Sequence, residues 1–294
     1  MNLPLRIDRV FVPPIKCQGI KTKLTPFILS QIRWAGQEHT RWIEPFLGSG
    51  VVAFNLAPDR ALLADTNCHI IHFYQAIQRK EIQSSLVREF LQDQGNKLGK
   101  VGAEYYYEVR DRFNQFSSSL DFLFLNRACF NGVMRFNRRG EFNVPFCRKP
   151  QRFSPSYVTK IVNQVDRLAH LIAEKDWEFS VSPWQETLAK AELGDFVYLD
   201  PPYIGRHTGY FNAWTQLEAE KLAAIAQQLP CGFALSMWLE NQHRRNEHLQ
   251  QCWSGLEART FQHFYHVGSK ETWRGQIDEA LLIKPGFAAL IALA

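Results

Sequence analysis

The sequence predicts an α/β fold, a sheet with helices on its faces. Short apolar segments alternate with longer stretches of helical periodicity, two of the apolar segments end on an aspartate, and no internal repeat interrupts the pattern. The elements follow in chain order. KTKLTPFILSQIRW (21–34) reads as a helix, and WIEPF (42–46) and ALLAD (61–65) as buried strands. Residues 70–92 read as a second helix. FVYLD (196–200) is a third strand, followed by a helix over 216–229 in which Leu217, Leu222, Ile225 and Leu229 recur at helical spacing. GFALSMW (232–238) and ALLIK (280–284) complete the expected sheet.

Between 83 and 177 the alternation stops, and arginines and aromatics crowd together in YYYEVRDRF and FLFLNRACFNGVMRFNRRGEFNVPF. This stretch is read as an inserted domain, with 1–82 and 178–294 forming one discontinuous core. The 294 residues suffice for such an arrangement, and 46% hydrophobic with 21% charged residues is ordinary for a globular chain. No apolar run has the length of a membrane span, and the N-terminus lacks the pattern of a signal peptide, so a cytoplasmic protein is expected. Six scattered cysteines and nine histidines show no metal-ligand spacing, and no metal is expected. A net charge of +5 permits a polyanionic partner without requiring one.

Two stretches carry chemistry. In WIEPFLGSGVVAF, Gly48 and Gly50 lie between a strand and a helix, where glycine permits a tight turn and close approach to a ligand. Asp65 ends the next strand, fifteen residues after Gly50, where a carboxylate can bind ribose hydroxyls. Ala53 stands where a dinucleotide fingerprint would have its third glycine, so NAD is not favoured, and alone the turn is equally a ligand-free β–α connection.

The second stretch is Asp200-Pro201-Pro202-Tyr203 at the end of an apolar strand. Both prolines fix φ and lack an N–H, so the Pro201 carbonyl is left to face outward beside the Asp200 carboxylate. Two rigid acceptors and an aromatic face suit a planar exocyclic amine. Its lone pair is conjugated with the ring, and hydrogen bonds from both its hydrogens draw the nitrogen toward tetrahedral geometry and free that pair. Tyr203 would stack on the base, worth ~1–3 kcal/mol.

Taken together these motifs resemble the Dam-type (alpha-group) DNA adenine-N6 methyltransferases, a type of modification methylase. The resemblance runs through IKCQGIKTKL (15–24), EPFLGSG (44–50), LADTN (63–67), FLNRACFNGVMRFNRRGEFNVPF (124–146) and DPPY (200–203), in the family's order. It implies a Rossmann-like S-adenosylmethionine-dependent methyltransferase core with an inserted helical and hairpin DNA-recognition domain. S-adenosyl-L-methionine would be held by Cys17, Gln18, Gly19, Lys21, Glu44, Pro45, Phe46, Gly48, Gly50, Asp65, Thr66, Asn67 and Asp200. Cys17-Gln18 stands in place of the family's usual Trp-Ala, and Ile20 in place of a glycine.

Catalysis would rest on Asp200, Pro201, Pro202 and Tyr203. DNA would be met by Lys21, Arg127, Phe130, Asn131, Val133, Arg135, Asn137, Arg138, Arg139, Pro145, Lys270 and Arg274. Arg135 suits guanine and Asn131 adenine, whereas Arg138 and Arg139 suit phosphates. Phe130 would enter the stack beside a displaced base. The implied partners are double-stranded DNA and a restriction endonuclease acting on the same site, with no membrane and no stable protein partner. A cytosine-N4 methyltransferase, an RNA adenine methyltransferase and an inactive DNA-binding relative stand as alternatives.

Overall fold

The computed structural model describes residues 2–202, 214–241, 244–245, 251–265 and 275–290. Tyr203, Lys270 and Arg274 therefore lie outside the described residues. The chain opens with β1 (Asn2–Leu3), α1 (Thr25–Gln31) and β2 (Trp34–Ala35), β1 and β2 forming a small antiparallel pair. Then come β3 (Trp42–Glu44), α2 (Val51–Leu56), β4 (Arg60–Asp65) and α3 (Cys68–Gln78). Four helices follow: α4 (Ser84–Val101), α5 (Ala103–Phe116), α6 (Ser119–Ala128) and α7 (Pro155–Ala173). The chain continues with β5 (Asp176–Val181), α8 (Trp184–Leu188), β6 (Phe196–Leu199) and α9 (Gln216–Gln227). It closes with β7 (Gly232–Asn241), β8 (Arg244–Arg245), β9 (Glu257–Tyr265) and β10 (Gly275–Ile283).

The main sheet runs in the order β5-β4-β3-β6-β7-β10-β9, with β8 beside β7. Strands β5 through β7 are parallel, and β10 lies antiparallel between β7 and β9. Order reverses at β3: the chain moves outward through β4 and β5, then returns to place β6 on the other side. A crevice opens at such a switch point beyond the carboxyl ends of the strands. Both motif-bearing strands, β3 and β6, border it.

Side chains alternate across the central strands, as a doubly covered sheet requires. Trp42, Leu63, Phe196 and Tyr198 face a core shared with α1, α2, α3 and the helices α4–α7. Ile43, Leu62, Val197 and Leu199 face the other layer, where α8 and α9 pack. Trp42 stacks on Phe196 at 5.2 Å and fixes β3 against β6.

Several elements differ from the sequence reading. The helix expected over 70–92 is two helices, broken where Lys80 takes a left-handed φ of 61°. The helix expected over 21–34 shortens to α1, and 34–35 turns into β2. In α9 the buried face is Ala219, Leu222, Ala223 and Ala226, while Leu217 is 59% exposed and Ile225 39%. Small residues give α9 a close approach to the sheet, so the branched pair is left outside. Strand β9 lay unforeseen in EARTFQHFY, and so did β5. The latter pairs with β4, so a boundary at 177 would put Asp176 and Trp177 on the wrong side of it.

The segment after α6 forms a short hairpin. Isolated antiparallel bridges join Cys129 to Phe146 and Phe136 to Phe142. Phe136 turns inward onto His69, ring centroids 5.2 Å apart, and anchors the hairpin to α3. Burial pushes the His69 imidazole down to about 4, so a neutral ring makes this stack.

Candidate active site and nucleic-acid interface

The turn after β3 is built by its glycines. Gly48 has φ 52° and Gly50 φ 70°, and the Gly50 N–H donates to the Leu47 carbonyl at 2.8 Å. A Cβ at Gly50 would lie 2.5 Å from the ring of Phe54, which sits one turn later in α2. The Tyr74 hydroxyl donates to the Ser49 carbonyl at 2.8 Å and pins the turn from α3. The Gly48 N–H donates to Asp65 Oδ2 at 2.9 Å, and the Asn67 N–H to Asp65 Oδ1 at 2.8 Å. Burial pushes the Asp65 carboxyl up, and the amides of Asn67, Gly48 and Thr66 draw it back. The Asn67 side chain caps α3 by accepting from the His69 N–H at 3.1 Å.

The segment before α1 closes over this turn. Cys17 lies beside Gly48, where a Cβ would come 3.9 Å from its Sγ. Burial and the neighbouring Asp65 hold the Cys17 thiol well above its usual range, so it is a neutral wall. Gln18 and Gly19 are exposed. Phe46 meets Trp214 edge-on at 5.5 Å.

At the end of β6, Asp200 Oδ1 lies 2.9 Å from Lys21 Nζ, whose side chain is only 3% exposed. Lys21 also donates to the Gly19 carbonyl at 3.2 Å. Burial pushes the Asp200 carboxyl up, Lys21 pulls it down, and the charge of Glu279 on β10 pushes it up again. Behind Asp200 stands Glu44, 2% exposed, whose Oε1 accepts from Trp42 Nε1 at 2.8 Å. Burial pushes the Glu44 carboxyl up to about 8, and the nearby Asp200 adds to that. So at neutral pH one acid of this group holds its proton while Asp200 is paired with a cation. Pro201 is buried at the strand end and Pro202 half-buried.

Glu44 carries a pH prediction. Its folded-state value lies above its ordinary 4.5, so the unfolded chain loses this proton first. Stability therefore falls as pH rises from about 4.5 toward about 8. Glu44→Gln keeps the oxygen that faces Trp42 and removes the titration. The variant is expected to gain on the wild type as pH rises through this window, by on the order of 3 kcal/mol near neutrality. Urea midpoints at pH 5 and pH 8 check this, and a constant difference between the two proteins refutes it.

The expected DNA-facing residues divide. Phe130 is 54% exposed, beside Asn131 with its left-handed φ of 57°. Arg135, Arg138, Arg139 and Pro145 are also exposed, and Val133 is half-buried. Arg135 is steadied by Asn143, Nε to Oδ1 2.9 Å and a terminal nitrogen to the carbonyl 3.1 Å. Asn137 instead builds the hairpin turn. Its Oδ1 accepts from the N–H groups of Arg139 and Glu141, and its Nδ2 donates to Glu141 at 2.6 Å. Arg127, expected at DNA, is 3% exposed in α6 and donates to Gln164 Oε1 at 2.7 Å. Eight consecutive residues at the end of α6 are buried, and Arg127 falls among them.

Three residues bearing on the site escaped the sequence reading: Glu279, Lys16 and Asn126. Glu279 directly precedes the ALLIK segment, one residue beyond the strand as read. Asn126 is fully buried in α6. Its Oδ1 accepts from the Lys16 N–H at 2.9 Å and its Nδ2 donates to the Lys16 carbonyl at 2.8 Å. The segment beside Cys17 is thus clasped to the helix that leads into the hairpin. An Asn inside an apolar helix was the available signal, since a buried amide needs partners.

Among the described residues no group of three or more His, Cys, Asp or Glu could hold a metal, and no helix is long and apolar enough to cross a membrane. Residues 18–272 match the family described as D12 class N6 adenine-specific DNA methyltransferase. The chain is similar to the DNA adenine methylase of Serratia marcescens, 33% identical over 198 residues, 64% of this chain and 68% of the relative. Likeness to the DNA adenine methylase of Vibrio cholerae serotype O1 reaches 27% over 278 residues, 86% of this chain and 94% of the relative. The DNA adenine methylase of Escherichia coli K12 is 34% identical over 200 residues, 64% of this chain and 66% of the relative. With a family match that spans most of its length, both glycine and DPP motifs included, the chain belongs to the D12 class N6 adenine-specific DNA methyltransferases.

Proposed function

We propose that this protein transfers a methyl group from S-adenosylmethionine to N6 of an adenine turned out of duplex DNA. The observation that carries the reading is Asp200, placed at the switch-point end of β6 with its Oδ1 held 2.9 Å from the buried Lys21. The residues of the β3–α2 turn fit the cofactor. Gly48 leaves open the space beside Cys17 that a Cβ would begin to fill, and Asp65 keeps lone pairs for two ribose hydroxyls after accepting from two amides. Cys17, Gln18, Gly19, Glu44, Pro45, Phe46, Gly50, Thr66 and Asn67 complete that cradle. When bound, the cofactor supplies an electrophilic methyl on a sulfonium.

The chain's own task is to prepare the amine. Lys21 takes one Asp200 oxygen, so the other oxygen and the Pro201 carbonyl accept the two N6 hydrogens. Pro202 fixes that carbonyl, and Tyr203 stacks on the base. Burial makes Asp200 a readier proton acceptor once the nitrogen has reacted, and from there the proton passes to solvent. The helices α4–α7 with the hairpin act as the target-recognition insert in an otherwise discontinuous core. Phe130 supports the gap in the duplex beside Val133, Arg135 and Asn131 read base edges, and Arg138 and Arg139 meet phosphate. The protein works on genomic DNA in the cytoplasm, and a restriction endonuclease of the same site is the partner such a mark would oppose.

Incubation with unmethylated genomic DNA and S-adenosylmethionine labelled in its methyl group tests this. Nucleoside analysis is expected to place the label on N6-methyladenine. Label on N4-methylcytosine would overturn the base assignment, and label on RNA alone would overturn the substrate.

A further inference from the structure

The carboxyl end of the sheet carries a buried acid beyond Asp200 and Glu44. Glu279 of β10 is 2% exposed. Its neighbours across the ladders fix the side it faces. Phe261, opposite it on β9, packs on Phe27 of α1 with ring centroids 5.2 Å apart. Leu281, two residues on, lies in the core shared with α1 and stands opposite Ser236 of β7. Alternation along the strand therefore puts Glu279 on the α1 side of the sheet, the side on which Asp200 meets Lys21.

Register places it relative to the chemistry. Leu199 of β6 pairs with Leu235 of β7, so Asp200 comes level with Ser236, which is opposite Leu281. Glu279 stands one row of side chains beyond that line, toward the crevice, and two strands away from Asp200. The ladder slips by one residue between Asp278 and Glu279, a bulge of the kind that re-aims a side chain beside a site. Beneath Asp200 the Tyr198 hydroxyl and Ser236 Oγ lie 2.6 Å apart, a buried crossbar from β6 to β7. The charge of Glu279 reaches Asp200 across this layer and opposes its ionisation.

A buried carboxylate is a poor choice for the fold alone. Taking such a group out of water is costly even when it is partnered, and an apolar residue of similar volume often serves stability as well or better. Phe261 and Leu281 hold the adjoining places in that way. The site, by contrast, has a use for negative charge. As the amine nitrogen bonds the methyl group, the S–C electron pair stays on sulfur, and positive charge settles on nitrogen until its proton passes to Asp200. A fixed carboxylate in a buried layer favours that charge without reorganising.

We infer that Glu279 is a positioning residue for methyl transfer, acting through Asp200 to favour the positive charge that develops on the amine nitrogen. The inference rests on the methyl-transfer reading above and deepens it. The other groups about Asp200 are Lys21 from the segment before α1, Glu44 from β3, Tyr198 from its own strand and the Ser236 hydroxyl from β7. Glu279→Gln leaves all of these in place and removes one charge.

The test is single-turnover methyl transfer against pH for the wild type, Glu279→Gln and Glu279→Asp, with cofactor affinity and melting temperature reporting the fold. Glu279→Gln is expected to lower the rate at neutral pH on the order of tenfold, with DNA affinity unchanged. It should also move the acid limb of the profile to lower pH, because without Glu279 the Asp200 carboxyl gives up its proton more easily. Glu279→Asp keeps the charge but withdraws it by one methylene. It is expected to fall between the two, and it decides alone if Glu279→Gln does not fold. Infrared titration of the Asp200 carboxyl, assigned by its loss in Asp200→Asn, follows the same ionisation without cofactor or DNA. A rate lowered equally at every pH, with the carboxyl titration unmoved, makes Glu279 a packing residue and overturns the proposal. A wild-type profile in the deciding variant overturns it too. In both cases labelled DNA from the wild type leaves the methyltransferase reading standing, whereas a wild type that transfers no methyl to DNA overturns both.

Discussion

Asp200→Ala is expected to lower methyl transfer by roughly 10³-fold or more, because it removes a preorganised acceptor at the reacting nitrogen. The carboxylate can accept from the amine in the ground state, but its contribution grows as positive charge develops on that nitrogen. The loss should therefore fall on kcat, with cofactor binding weakened only modestly. A separate effect must be measured beside it. Lys21 is buried against Asp200, and removing one member of such a pair strains the fold. Asp200→Asn is the control, since it preserves shape while presenting an N–H donor where an acceptor is needed. Single-turnover rates and melting curves on both variants separate the causes. If either folded variant keeps a tenth of the wild-type rate, Asp200 is not the amine's acceptor.

Gly50→Ala is expected to have the next largest effect, and it acts through structure first. The new Cβ would adopt φ 70° and lie 2.5 Å from two atoms of the Phe54 ring. A left-handed alanine costs roughly 1–2 kcal/mol, and the collision adds more because Phe54 cannot retreat. Its ring is stacked on Trp177 at 5.6 Å and meets Tyr74 edge-on at 5.1 Å. A total loss of about 3–5 kcal/mol is expected, comparable with a severe core substitution. Chemical denaturation measures it, and cofactor affinity should fall with the turn's integrity. Wild-type stability in this variant would mean that the turn relaxes freely and that glycine there is not required by packing.

The parts of this molecule legible in its sequence are those where local chemistry and tertiary demand agree. Ile43, Leu62 and Val197 sit in short apolar runs ended by an acid or a glycine, and such runs form buried parallel strands. The glycines at 48 and 50 were readable because positive φ is a property of the residue as much as of the fold. Strand β5 alternates, with Trp177 and Phe179 buried between less buried neighbours. It went unseen because it follows a long helix closely and straddles the boundary drawn at 177. The break after α3 was illegible for another reason. Lys80 has no intrinsic preference for a left-handed conformation, and the turn is held by the Glu81 and Ile82 N–H groups returning to the Ala76 carbonyl.

The site divides along the same line. Asp200, Asp65 and the glycine turn were expected at strand ends and lie there, whereas the burial of Arg127 was not legible. A cluster of four arginines looks uniform along a chain, and only the packing of α6 separates the inward one from the outward three. Asn137 was expected at DNA together with its neighbours in the same motif. It is used by the turn itself, as Asn often is.

The clasp between Asn126 and Lys16 has one more consequence. Its two hydrogen bonds, 2.9 and 2.8 Å, tie the segment beside Gly48 to the helix that enters the hairpin. Two ligand-bearing regions joined by one rigid element do not respond independently. Whatever free energy a bound duplex transmits through that element to the methyl donor's affinity, the donor returns to the duplex in equal measure, because such coupling is reciprocal at equilibrium. On the proposed reading, the buried amide thus helps set how strongly each substrate alters the hold on the other, whichever arrives first.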